Sequence, residues 1–121
     1  MKATRPGEFI CLCPVTIPTV EGESHVFLFI DAYSSFAINT GVEPSGDAEA
    51  VLKHIYLLTE HDDFKKNIKM GYTLVLNDYY DLAHRIKSII QPHGKILFDE
   101  DFHEKICKPA VESMFRRMIE K

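Results

Sequence analysis

The stretch HVFLFIDAYSSF (25–36) decides the fold. Its first half is apolar on both faces, which is typical of a central strand that is covered on both sides of a sheet. The apolar run then ends at an acid, Asp31. Two later segments show the same change from apolar to acidic residues, TLVLND (73–78) and KPAVESMFRR (108–117). Three such changes in this order are typical of folds that bring distant carboxylates together around metal ions.

The flanking segments predict an α/β domain with five strands. The segments rich in β-forming residues are 8–17, 25–33, 35–42, 73–77 and 95–99. Pro14 is expected to kink or bulge the first strand, because proline cannot donate a backbone hydrogen bond to a neighbouring strand. The polar turn TVEGES (19–24) suits a hairpin, and Ser34 is a short link to a third antiparallel strand. The polar segment 61–72 is predicted to be irregular or a frayed helical turn.

Three further segments have the apolar spacing of helices. Their apolar residues are Ala48, Val51, Leu52, Ile55 and Leu58, then Leu82, Ile86, Ile89 and Ile90, and finally Val111, Met114, Phe115 and Met118. Asp47 is the predicted N-cap of the first helix, and Asp78 or Asp81 caps the second. Pro109 suits the first turn of the last helix, which follows a helical turn over 101–108.

Composition limits the function classes. The chain of 121 residues is the length of one domain, 1–121, and 45% of its residues are hydrophobic. The formal net charge of −4 has the wrong sign for binding DNA by bulk electrostatics, so any DNA contact needs a local basic patch. No apolar stretch has the length of a membrane span, and the first residues lack the apolar core of a secretory signal.

The three cysteines, Cys11, Cys13 and Cys107, are an odd number in a chain that is large enough to fold without cross-links. We therefore expect free thiols in a reducing compartment, the cytoplasm. Cys11 and Cys13 should lie on one face of their strand as small core residues. The sequence contains neither a second cysteine pair nor a histidine at the spacing of zinc ligands, so these cysteines do not predict a zinc site. The clusters HDD (61–63) and DEDFHE (99–104) combine histidine with acids in a way that is typical of surface loops. A nucleophilic cysteine–histidine pair stays open, without a motif that supports it.

The element order β-β-β-α-β-α-β-α predicts a mixed sheet in the order 3-2-1-4-5 with helices on both faces, a ribonuclease H-like layout. With its motifs placed on these elements, the chain resembles, over roughly residues 5–120, the catalytic core of retroviral-type integrases and bacterial transposases, the DDE family. FLFIDAYSSF matches the second strand of the family, TLVLNDYYDL the strand that ends in the second catalytic Asp, and PAVESMFRRM the helix with the catalytic Glu.

The resemblance implies a set of site residues and a reaction. Asp78 and Glu112 would be the catalytic carboxylates that bind Mg²⁺ or Mn²⁺, and Arg116 and Arg117 match basic positions that touch the DNA backbone. The implied function is DNA integration or transposition by polynucleotidyl transfer. Each of these residues also has an ordinary structural interpretation: Asp78 as a helix cap, Glu112 paired with Arg116 along the helix, and the two arginines as complements to the helix dipole.

The chain departs from the family at the first catalytic Asp. The segment FICLCPVTI (9–17) contains no acid, and Cys13 or Pro14 falls near the expected position. Because that Asp usually bridges both metal ions, we expect impaired catalysis and only weak, millimolar binding of Mg²⁺ or Mn²⁺. Asp31 is a candidate substitute, with a structural role as its alternative. Tyr79 and Tyr80 also replace the Asn-Gly that usually follows the second Asp.

Two functions follow from these observations. The first is an impaired recombination core of mobile-element origin that acts on DNA. The second is a non-enzymatic relic whose fold serves protein association, as a homodimer formed through its apolar helix faces. The absence of an acid from the first strand and the acidic net charge favour the second function, whereas the retained Asp78 and Glu112 favour the first.

Overall fold

A mixed sheet of five strands forms the centre of the protein. The strands are β1 (Phe9–Thr19), β2 (Gly22–Asp31), β3 (Ala37–Glu43), β4 (Tyr72–Leu76) and β5 (Gly94–Phe98). This computed structural model describes residues 2–66 and 68–119. The sheet order is β3-β2-β1-β4-β5, with β1 antiparallel to β2, β2 antiparallel to β3, and β4 parallel to both β1 and β5. The predicted α/β class and strand order are confirmed.

Helices cover both faces of this sheet. They are α1 (Ala48–Glu60), α2 (Asp62–Lys65), α3 (Ala83–Ile90) and α4 (Glu100–Ile119), and 3₁₀ turns lie at Ile68–Met70 and Tyr80–Leu82. Helices α1 and α3 pack on one face, and α4 packs on the other. The segment 61–72 thus contains short helical turns and the first residue of β4. Within the described residues, no helix is long and apolar enough to cross a membrane.

Alternation along the central strands divides the core in two. Ile10, Phe27 and Phe29 point to the face with α1 and α3, and all three are almost fully buried. Cys11 and Leu28 point to the α4 face and are also buried. The prediction that the second strand is covered on both sides is confirmed, because every residue from 26 to 31 is buried.

Pro14 does not bulge β1, so that part of the prediction is wrong. The β1–β2 register runs without a shift from Ile10 opposite Asp31 to Thr19 opposite Gly22. On its other side β1 pairs with β4 only as far as Cys11. Beyond Cys11 that edge of β1 has no partner strand, so the missing N–H of proline costs no hydrogen bond between strands. The irregularity lies instead between β2 and β3, beside Phe29 and Ile30.

One of the predicted helix caps is confirmed and the other is wrong. The Asp47 carboxylate accepts a hydrogen bond from the Ala50 N–H at 2.9 Å, so Asp47 caps α1 as predicted. Neither Asp78 nor Asp81 caps α3. The chain enters that helix through the 3₁₀ turn, whose N-cap is Tyr79, and no side chain caps either element. The apolar face predicted for α3 is confirmed, since Leu82, Ile86 and Ile90 are buried and Ile89 packs against them.

Helix α4 is one continuous helix, whereas the sequence predicted a helical turn and a new helix at Pro109. The Asp99 carboxylate caps its start by accepting a hydrogen bond from the Phe102 N–H at 3.0 Å. Pro109 lies inside the helix and removes one internal hydrogen bond. Packing offsets this cost, because α4 side chains before and after Pro109 contact the same sheet face: Phe102, Ile106, Cys107, Ala110, Val111 and Met114. Phe115 is half-buried, and the side chain of Met118 lies outside the described part.

Burial makes the fold sensitive to high pH. Burial, with a smaller contribution from Asp31, raises the pKa of the Cys11 thiol from 9.0 to about 12. Burial also raises the pKa of Tyr72 from 10.0 to about 12. The unfolded chain loses these protons first, so the stability that they contribute is complete below about pH 9 and is lost as the pH rises towards 12.

We therefore expect the free energy of unfolding to fall above pH 9 by about 1.4 kcal/mol per pH unit for each group that titrates. Urea denaturation between pH 7 and 11 measures this fall. In the control variant Cys11→Ala the decline should start nearer pH 10, where tyrosine begins to titrate in the unfolded chain. An unchanged onset in that variant would contradict the role of Cys11.

Candidate functional site

The candidate site lies beneath α4, where the parallel pairing of β1 with the carboxyl end of β4 stops. Cys11 in β1 pairs with Val75 in β4. Two residues further along each segment are Cys13 in β1 and Asn77 just after β4, and both line the site. A cavity of about 480 Å³ opens here. Its lining includes three glutamates and one lysine, among the residues Cys13, Pro14, Asn77, Glu100, His103, Glu104, Cys107, Lys108, Val111 and Glu112.

A disulfide bond between Cys13 and Cys107 crosses this site and joins β1 to α4. The two Cα atoms are 5.9 Å apart and the residues are 94 positions apart in the sequence. The prediction of free thiols is therefore wrong for this pair and confirmed for Cys11, which is free and buried. Cys11 and Cys13 do lie on one face as core residues, as predicted. The number of cysteines favoured free thiols, but it does not show that α4 lies across β1 and brings Cys107 to Cys13.

His103 completes the cluster. Its Nε2 atom lies 3.4 Å from the Cys107 Sγ, and it is close enough to the Leu12 carbonyl to donate a hydrogen bond to that oxygen. Cys13, His103 and Cys107 are only 2%, 4% and 6% exposed. One nitrogen and two sulfur atoms thus lie within 4.8 Å of one another at the base of the cavity.

Local structure explains why these side chains meet. His103 and Cys107 are four positions apart, so they share one face of α4. The Asp99 cap fixes the start of the helix, and Phe102 packs edge-on against Phe9 at a centroid distance of 5.4 Å. These contacts hold the first turns of α4 over β1, with His103 directed at the strand.

The predicted catalytic residues Asp78 and Glu112 line different cavities. Glu112 is exposed and lines the cavity beside Cys13. Asp78 lines a cavity on the α1 side of the sheet, which Thr16, His25 and Asp47 also line. Asp78 and Glu112 are separated because side chains alternate between the two faces at the end of β4, where Val75 faces α4 and Leu76 faces α1. By the same alternation, Asn77 lies on the Cys13 side of the sheet.

The Asp78 carboxylate has a local role in the backbone. It accepts a hydrogen bond from the Tyr79 N–H at 2.6 Å, and Tyr79 has the left-handed φ of 66°. This conformation costs a non-glycine residue about 1–2 kcal/mol, which the hydrogen bond helps to offset. Burial raises the pKa of Tyr79 to about 12, and the nearby Asp78 adds to the shift.

These residues do not fit the pair of Mg²⁺ ions that the family would hold. Mg²⁺ needs oxygen ligands at short, nearly octahedral distances. Cys13 or Pro14 falls near the position where the resemblance implies the bridging carboxylate, and the Cys13 sulfur is bonded to Cys107. The second acid, Asp78, lines a cavity on the other side of the sheet. Weak binding of Mg²⁺ or Mn²⁺ by Asp78 and Glu112 stays a prediction.

Asp31 lies away from this site and stabilises a turn. It pairs with Ile10 near the start of β1, three residues before Cys13. Its carboxylate accepts hydrogen bonds from the N–H groups of Gly7 and Tyr33 and from the Ser34 hydroxyl, at 3.1–3.2 Å. The link predicted at Ser34 is thus a turn over 32–36, and the structural interpretation of Asp31 accounts for its burial.

Arg116 and Arg117 are exposed in the last turn of α4, where their charges complement the helix dipole. Within the described residues, Glu112 and Arg116 form no ion pair, so the pairing suggested for them along the helix is not observed. Glu112 lies one turn before Arg116 and faces the cavity. The basic positions of the proposed DNA contact therefore lie just beyond the candidate site.

The sequence reasoning missed the cluster of Cys13, His103 and Cys107. Two signals were present in the chain. Cys13 falls near the expected catalytic Asp, and His103 and Cys107 have a spacing of four, which places two ligand types on one helical face. The cluster DEDFHE (99–104) has a composition typical of surface loops, whereas it forms the cap and first turns of α4 and includes a buried histidine.

Comparison with known proteins adds no assignment: no protein-family model, curated protein or solved structure matches the chain.

The disulfide should be measurable in solution. After oxidation of the chain in air, we expect one titratable thiol per chain, Cys11, under non-reducing denaturing conditions, and three after reduction. Reduction should lower the free energy of unfolding by about 2–5 kcal/mol, because the bond closes a long loop. Denaturation with and without reductant measures this loss.

The matched controls are Cys13→Ser and Cys11→Ala. Stability of the first should no longer respond to reductant, whereas stability of the second should respond as in the unmodified chain. Three free thiols in the air-oxidised chain would contradict the disulfide.

Proposed function

We propose that the chain is a ribonuclease H-like domain, related to the cores of integrases and transposases of mobile elements, that acts by association and does not perform two-metal strand transfer. The observation that carries this proposal is that Cys13 offers a sulfur atom, bonded to Cys107, and no carboxylate. Cys13 or Pro14 falls near the position where the family reaction needs the carboxylate that bridges two metal ions.

Support for the ancestry comes from the topology and from the strand ends. The order β3-β2-β1-β4-β5, with three antiparallel strands followed by two parallel crossovers, is the layout expected from the resemblance. Tyr79 adopts a left-handed conformation at the position where the family usually has Asn. Asn takes this conformation more readily than other residues with side chains, so the local backbone is compatible with the family motif.

The proposed loss of catalytic activity is supported by the positions of the two acidic residues, Asp78 and Glu112. Glu112 and Asp78 line cavities on opposite sides of the sheet, and a hydrogen bond to the Tyr79 N–H engages the Asp78 carboxylate. In this proposal DNA contact is confined to Arg116 and Arg117, because a net charge of −4 opposes wider binding. A cytoplasmic location belongs to the same proposal.

The activity test is nicking of supercoiled plasmid with millimolar Mn²⁺. The unmodified chain should not nick DNA. A second chain carries Cys13→Asp to supply the first acid and Cys107→Ala to avoid an unpaired thiol. Nicking by this chain alone, lost on adding Glu112→Gln, would support the ancestry. Nicking by the unmodified chain that Glu112→Gln abolishes would overturn the proposed loss of catalysis.

The association that we propose is a homodimer formed through α1. Tyr56 and Leu57 are 53% and 42% exposed on this helix, whereas its opposite face, with Val51 and Ile55, is buried in the core. The apolar face of α4 is in contact with the sheet, which leaves α1 as the better candidate among the helix faces. Covering these two apolar side chains with a second copy would remove them from water.

Light scattering over a range of protein concentrations tests this association. We expect the mass of a dimer for the unmodified chain and a shift towards the monomer for Tyr56→Lys combined with Leu57→Lys. Val20→Lys is the matched control, because Val20 is a fully exposed apolar residue at the tip of the β1–β2 hairpin. A monomer at every concentration, or an equal effect of the control, would overturn the association.

A further inference from the structure

We propose that Cys13, His103 and Cys107 form a redox-gated binding site for Zn²⁺, open when the disulfide is reduced and closed when it is oxidised. The inference does not depend on the association role. It starts from the one place in the described chain where three groups that bind transition metals converge.

The donor set selects the metal. Two cysteine sulfurs and one imidazole nitrogen are ligands that Zn²⁺ prefers, and three protein ligands leave a fourth, open position in a tetrahedral site. Mg²⁺ and Mn²⁺ favour oxygen ligands and are selected against. The same cavity that does not fit a pair of Mg²⁺ ions therefore fits one softer ion.

The position of the cluster favours binding. All three side chains are buried, yet they line a cavity of about 480 Å³ that is open to the surface, so an ion can reach them. Glu104 follows His103 on α4 and also lines this cavity. Its carboxylate or a water molecule would complete the tetrahedron.

A purely structural disulfide does not require a histidine. In the oxidised form the His103 Nε2 donates to the Leu12 carbonyl, so its proton occupies the position that a metal would take. On metal binding this proton leaves Nε2, Nδ1 becomes the protonated nitrogen, and the ring turns away from Leu12. Because the Cα atoms of Cys13 and Cys107 are 5.9 Å apart, side-chain rotation is enough to separate the sulfurs once their bond is broken.

The chemistry balances with a dithiol as reductant. One thiolate of the dithiol attacks a sulfur of the Cys13–Cys107 bond, and a mixed disulfide forms as the S–S bond breaks. The second thiol of the reductant then displaces the remaining cysteine, which leaves two cysteine thiols and the oxidised dithiol. Zn²⁺ binding replaces both thiol protons, so two protons are released for each ion bound. The reducing compartment predicted from the sequence would favour the open state.

The experiment titrates Zn²⁺ against a chromophoric chelator, without oxygen, using the full chain in reduced and oxidised forms. The reduced chain should bind one Zn²⁺ and the oxidised chain none. Cys13→Ser should raise the dissociation constant by roughly a hundredfold or more, since it removes a thiolate ligand. Cys11→Ala is the matched control and should bind like the unmodified chain. A reduced chain that binds no Zn²⁺, or equal losses in the two variants, would overturn the proposal.

His103→Gln tests the histidine, because an amide can still donate to the Leu12 carbonyl but is a poor ligand for Zn²⁺. We expect weaker binding with the circular dichroism spectrum of the unmodified chain, and unchanged affinity would overturn the role of His103.

Alkylation of the reduced, unmodified chain tests the same site without depending on whether a variant folds. Zn²⁺ should slow modification of Cys13 and Cys107, located by mass spectrometry, and equal rates with and without Zn²⁺ would contradict the site. Nicking or a monomeric state would overturn the proposed function and leave these results standing.

Discussion

The short parallel pairing between β1 and β4 is the constraint on which the rest of this structure depends. Only Phe9 to Cys11 pair with β4, so the remainder of β1 has a free edge on that side. The two strands separate beyond this point, and cavities form on both faces of the sheet, each bordered by Pro14. The same free edge allows β1 to contain Pro14 and Pro18 without losing hydrogen bonds to a neighbour.

Much of the fold could be predicted because its signals are local. Strand order followed from apolar runs of strand length and from the handedness of crossovers, and the Asp47 cap followed from one side chain and the helix after it. The predictions that failed depend on packing between distant elements. Pro109 interrupts the local helical pattern, yet contacts with the sheet on both sides of it keep α4 continuous.

The candidate site was harder to predict because it depends on the face of the sheet to which each side chain points, as well as on the position of the residue in the sequence. A shift of one residue at the end of a strand moves a side chain to the other face of the sheet. Asp78 and Asn77 differ by that single step, and Asn77 is the one beside Cys13. The partner of Cys13 could not be read from the sequence either, because it depends on which face of α4 lies over β1.

The chemistry of the site follows from the cysteine at position 13 of β1. A carboxylate at this position of β1 would bring negative charge and oxygen donors, which suit hard cations. A cysteine there offers a softer sulfur donor, and Cys107 on α4 lies within reach of it. Oxidation then gives a covalent link between strand and helix, and reduction gives two thiols beside an imidazole. The residue type at this one position therefore decides whether the cavity offers oxygen donors, which suit hard cations, or sulfur donors, which respond to redox state, while the sheet beneath it is unchanged.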